Sequence, residues 1–132
     1  MCLGAGEGDI ERAEIAAAAD AVYDLVTEMV KVFFEKDETK KEELKKDFAE
    51  KILPLKLSSF EEQIKRNGAP EGWLFTKKVT WADLALVNSF EWLALMAPDA
   101  LKDFPGVSKL ADNVNNLPNI KKWIEERPKT AF

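Results

Sequence analysis

Between positions 15 and 33, apolar residues fall at 15, 18, 19, 22, 25, 26, 29, 30 and 33. Steps of three and four put them on one stripe of an α-helix and on no single face of a strand. A stripe this long must be covered by other elements, so it commits the chain to packing around a long helix. The predicted helix runs over 9–37, with Asp9 placed to cap it and Glu11 and Glu14 near the positive end of its dipole. Alanines 16 to 19 leave a narrow surface for close approach by another backbone.

The same period continues along the chain. Residues 39–68 read as a second helix, with Thr39 and Glu42 at capping-box spacing. Leu44, Phe48, Ile52, Leu55, Phe60 and Ile64 supply its apolar side, and Pro54 is expected to kink or split it. The charge run over 35–51 reads as a solvated face, with Glu42–Lys46 and Asp47–Lys51 at i,i+4. Gly68 and Pro70 end this element. "GWLFTKK" reads as an extended connector. A third helix is predicted from Trp81 to Met96, stopped by Pro98, and a fourth from Val107 to Asn116. Pro118 suits the first turn of a fifth, which Pro128 stops. No strand-like alternation holds over a useful length. The expected fold is all-α, a bundle of about five helices in one domain over 9–132, after a glycine-bearing, linker-like start over 1–8.

Composition narrows the chemistry. Among 132 residues there is no histidine and one cysteine. That removes Ser-His-Asp and Cys-His catalysis, an internal disulfide and a cysteine metal cluster. The net charge of −5 gains nothing from counterion release, so nucleic acid is not an expected partner. No secretory signal stands out, and no apolar run approaches the ~18–20 residues that span a bilayer. A soluble, cytoplasmic protein without a membrane partner is the expectation.

One charge stands apart. Asp83 lies inside the apolar run "KVTWADLALVNSF", three residues after Thr80. With Thr80 at the N-cap, its hydroxyl accepts the third helical N–H and Asp83 reaches back to the N–H of Thr80. Val79 is placed to pack on Leu84 as a hydrophobic staple. The aspartate is therefore read as structural rather than catalytic.

A "TWAD" box opening a central helix, with "NIKKWIEERPKTAF" at the end of the chain, resembles the C-terminal helical domain of cytosolic glutathione S-transferases. "GEGDIERAEI", "AAAADAVYDLV", "GWLFTKKVTWADLAL" and "FPGVSKLADNVNNLPNIKKWIEERPKTAF" resemble the sigma class, which includes glutathione-dependent prostaglandin D synthases and S-crystallins. The likeness covers nearly the whole chain.

The resemblance implies a thioredoxin-like N-terminal domain that carries the thiol-activating tyrosine and most glutathione contacts. These 132 residues contain no such segment, and the single tyrosine, Tyr23, lies on the first helix. No catalytic residue is therefore assigned, and the chain alone is expected to be inactive. In the intact enzyme, glutathione is the implied cosubstrate, a hydrophobic electrophile the second substrate, and a homodimer the assembly. Asp24 matches an acid that reaches glutathione in the neighbouring subunit, and Asp20 matches a nearby interface acid. Tyr23 stands where relatives have a third acid, so no metal site is assigned. Asp20 and Asp24 also fit a plain solvated pair at i,i+4. Val26, Ala85, Ser89 and Phe132 match positions lining the electrophile pocket, with Ala85 in place of a bulkier residue; core packing accounts equally well for Val26 and Ala85. A non-catalytic scaffold or structural module of the same fold is the alternative function, and a carrier of apolar ligands a third.

Overall fold

The computed structural model describes residue 4 and residues 6–129. Its elements are α1 (Asp9–Phe34), α2 (Glu38–Asp47), a π-helical segment (Phe48–Ile52), α3 (Leu53–Asn67), α4 (Trp81–Met96), α5 (Pro105–Asn115) and α6 (Pro118–Glu126). Among the described residues there is no strand. Counting α2, the π segment and α3 as one interrupted helix gives the expected five.

Helix α4 is the centre. Ala82, Leu86, Val87, Phe90 and Leu93 are buried on it, and it packs on both α1 and α5. On α1, Ile15, Ala18, Val22, Leu25, Met29 and Val32 face this core. All but Val32 belong to the apolar stripe read from the sequence. The rings of Phe33 and Trp92 meet at 5.1 Å, near the C-terminal ends of α1 and α4. Trp81 N–H donates to the Gly4 carbonyl at 3.4 Å, near their N-terminal ends. The two helices therefore run in the same direction.

Local expectations needed three corrections. Helix α1 begins after Gly8 without a side-chain cap, and Asp9 is its first residue. Gly8 has φ 88°, a conformation that favours glycine over a side-chain cap residue. Helix α2 is capped by Asp37, whose carboxylate accepts the Lys40 N–H at 3.0 Å. Thr39 thus lies inside the helix, and the Thr39–Glu42 box does not start it. Glu35 accepts the Asp37 and Lys36 N–H groups just before, and these bonds with Lys40 hold its carboxyl below the usual range.

The third correction concerns Leu55. It is 70% exposed, whereas Leu53 and Leu57 are fully covered. The buried positions run 48, 53, 57, 60, 64. The five-residue step from Phe48 to Leu53 is the i,i+5 period of the π segment, and it rotates every later residue relative to a plain α-helix. Pro54 follows at the start of α3, where its missing N–H breaks least. The expected interruption is present, and its form turns Leu55 outward.

Residues 68–80 connect α3 to α4 with Trp73 and Leu74 buried. A buried loop must have its backbone groups satisfied from elsewhere. Asn67 Nδ2 donates to the Trp73 and Thr76 carbonyls at 2.8 and 3.0 Å, and Gln63 Nε2 to Leu74 at 3.2 Å. Lys109 and Asn113 of α5 donate to the Pro70 and Glu71 carbonyls.

Glu61 on α3 is 5% exposed and accepts the N–H groups of Gly106 at 3.1 Å and Val107 at 2.9 Å. It acts as the side-chain cap that α5 lacks, because its N-cap residue is Phe104, and it places negative charge at the positive end of that helix. Lys65 Nζ, at 3.4 Å, balances the carboxylate. A Cβ on Gly106 would sit 2.8 Å from Glu61 Oε2. Gly→Ala ordinarily gains about 1 kcal/mol in a helix. Here Gly106→Ala is expected to destabilise by about 1–2 kcal/mol, because the carboxylate is pushed off one buried and one part-buried donor. Thermal unfolding checks the sign: a higher Tm would show that α5 does not depend on this cap.

Candidate functional site

Asp83 is where sequence and structure meet most closely. It is fully buried, and it forms the reciprocal box with Thr80. Its Oδ2 accepts both the Thr80 N–H and the Thr80 hydroxyl at 2.7 Å. Its Oδ1 accepts the Leu74 N–H at 2.9 Å, a bond no local spacing announced. One carboxylate thus starts α4 and pins the connector before it. All these bonds are structural, and they leave the group turned away from solvent.

The other residues singled out from the sequence fall in two groups. Val26 on α1 and Ala85 on α4 are half-buried against the shared core, and Ser89 is buried on α4. The Ser89 hydroxyl donates to the Leu86 carbonyl at 2.6 Å, so its polarity is spent within its own helix. Phe132 lies outside the described residues. Asp20, Tyr23 and Asp24 are exposed on α1.

Asp24 borders a surface hollow with Thr27, Glu28, Ile52 and Lys56. Lys56 Nζ reaches across from α3 to Asp24 Oδ2 at 3.5 Å. Glu28 pairs instead with Lys31 on its own helix at 2.6 Å. The Thr27 hydroxyl donates to the Tyr23 carbonyl at 2.9 Å. The sequence reading named Asp24 as a site residue here and missed Thr27, Glu28 and Lys56, of which Lys56 comes from another helix. Its neighbours in sequence carry no signal, because the pairing depends on the π segment that sets the rotation of α3. A larger hollow lies at the α1–α2 corner, lined by Lys31, Phe34, Glu35, Lys36, Lys40 and Leu44.

Beyond these, Tyr23, Val30 and Phe34 stand exposed at helical spacing on α1, and Trp123 and Ile124 on α6. Arg127, just after α6, pairs with Glu91 of α4 through two nitrogens at 2.5 and 3.2 Å. Among the described residues, no group of three or more His, Cys, Asp or Glu is placed to hold a metal ion. No helix among them is long and apolar enough to cross a membrane.

Residues 23–127 match the family model described as "Glutathione S-transferase, C-terminal domain". The chain is 32% identical over 131 residues to glutathione S-transferase 1 of Ascaris suum, covering 97% of the chain and 63% of the relative. It is 30% identical over 130 residues to hematopoietic prostaglandin D synthase of Gallus gallus, covering 97% and 61%. Among solved structures, prostaglandin synthase D of Nilaparvata lugens superposes with a TM-score of 0.87 at 30% identity, covering 95% of the chain and 61% of that structure. The chain therefore spans about three fifths of the length of these relatives.

Proposed function

Because the chain belongs to the glutathione S-transferase C-terminal domain family, we propose that it is the helical half of a sigma-like, cytoplasmic glutathione S-transferase. The observation that carries this reading is the match of almost its whole length to a protein named for that activity. In this reading, a thioredoxin-like partner domain binds glutathione and ionises its thiol. The thiolate then attacks an electrophilic carbon held against the helical half. Val26, Ala85, Ser89 and Phe132 line that side of the pocket. With the Ser89 hydroxyl occupied by Leu86, the lining offers shape and apolar surface rather than a proton. The short Ala85 side chain leaves room for a bulky hydrophobic electrophile.

The assembly is a homodimer, and the exposed face of α1 bearing Tyr23, Val30 and Phe34 supplies apolar surface for it. Asp24, on the same helix and 67% exposed, faces the cationic α-amino group of glutathione bound in the neighbouring subunit. The test joins the chain to the thioredoxin-like half of a sigma-like relative. Conjugation of glutathione to an aromatic electrophile is expected to appear. Asp24→Asn in that protein is expected to raise KM for glutathione about three- to tenfold, with a smaller change in kcat, as suits a partly screened contact remote from the sulfur. An unchanged KM returns Asp24 to an ordinary solvated charge.

A further inference from the structure

Three polar groups of α1 border the hollow beside the π segment, and each has a partner of different quality. Glu28 is held by Lys31 at 2.6 Å and the Thr27 hydroxyl by a carbonyl at 2.9 Å. Asp24 has the longest of the three contacts, to Lys56 at 3.5 Å. A well-seated ammonium–carboxylate bond is about 2.7–2.9 Å, so Lys56 is loosely held. Its position is nonetheless built in. The π segment fixes the rotation of α3, and Ile52 at the end of that segment lines the same hollow as Lys56 one turn later. The side chain of Lys56 is 31% exposed against 67% for Asp24. Its stem is thus largely packed while the carboxylate stays open to an incoming group.

We propose that Lys56 is a tethered competitor for the ammonium group that Asp24 binds, so that it sets how tightly this site takes a primary amine. The inference rests on the reading of Asp24 as the carboxylate facing the amino end of glutathione. The chemistry is exchange of one ammonium for another on the same oxygen. A ligand ammonium that takes Asp24 Oδ2 competes there with Lys56 Nζ, and the binding it gains is reduced by the pairing it breaks. Glu28 is already paired with Lys31, so the displaced lysine has no free acid among the residues bordering the hollow.

The test uses the chain joined to the thioredoxin-like half, as in the proposed function, with glutathione as probe and N-acetylglutathione, which has no ammonium, as control. Amide shifts at Asp24 and Thr27 are followed to millimolar ligand in wild type, Lys56→Gln, Lys56→Arg and Asp24→Asn. Lys56→Gln is expected to reach half-saturation at about two- to fivefold lower glutathione, the range open to an exposed ion pair. Lys56→Arg keeps a cation in place and is expected to resemble wild type. N-acetylglutathione is expected to give no gain in any variant, a distinction that a merely structural role for Lys56 would not produce. Equal or weaker binding in Lys56→Gln, with binding lost in Asp24→Asn, overturns the competitor and leaves the reading of Asp24 standing. Equal behaviour of all variants, or no saturable shift at Asp24 in any, overturns both.

Discussion

Asp83→Ala is expected to cost about 3–5 kcal/mol of stability, the largest effect of any single side chain outside the apolar core. The carboxylate is fully buried and accepts three hydrogen bonds. Alanine leaves two backbone N–H groups without an acceptor, and each such buried donor costs about 1–3 kcal/mol. The loss also acts at two places. Without Oδ2 the Thr80 N–H loses its acceptor and the box that starts α4 loses one of its two bonds; without Oδ1 the Leu74 N–H loses its hold on that helix. Leu74 is itself fully buried, so a loosened connector also exposes core surface. Asp83→Asn distinguishes the two ends. Its amide oxygen still accepts from Leu74, while its NH2 faces the Thr80 N–H, so about half the cost is expected. Urea denaturation reads both. The midpoint should fall with the m-value unchanged. A midpoint equal to wild type would show that Asp83 behaves as a surface charge.

That aspartate also marks the reach of sequence reasoning. The bounds of α4 were legible because both of its ends are written in local chemistry: Thr80 and Asp83 three residues apart at one, Pro98 just beyond the other. The bond from Leu74 was not, because its donor lies in a loop with no period to read. Glu61 gave no signal either, since the N–H groups it caps lie 45 and 46 residues further on. Gly106 beside Pro105 was the one available hint, a glycine where a helix start ordinarily places a cap or an acid. In the second helix, positions 48, 52 and 55 keep the α period and 48, 53 and 57 break it. Sequence alone favours the first set, and packing selected the second by inserting a π turn. The same turn decides the candidate site. Asp24 could be read from the first helix, while its neighbour Lys56, 32 residues away, becomes visible only once the rotation of α3 is known.

The 132-residue chain by itself is expected to give no measurable conjugation of glutathione above the uncatalysed rate. A thiol near its ordinary pKa of about 8.5 is only a few per cent ionised at pH 7, and the thiolate is the attacking species. Lowering that pKa takes a positioned donor or cation at the sulfur. The chain has no histidine and a single tyrosine. Tyr23 is 72% exposed on α1, next in sequence to Asp24, which the proposed reading assigns to the amino end of the tripeptide. A hydroxyl there cannot serve the sulfur while its neighbour serves the opposite end. The buried acids give no help, since Asp83 and Glu61 are committed to backbone donors. Ser89 has its hydroxyl on a carbonyl of its own helix. On the proposed reading the described residues supply surface for an electrophile, which lowers the barrier only once a thiolate is held beside it. The measurement is turnover of glutathione with an aromatic electrophile, by the chain alone and after fusion to a thioredoxin-like half. Activity only in the fusion supports the division of labour. Robust turnover by the chain alone, lost in Tyr23→Phe, would place thiol activation on α1 and overturn it.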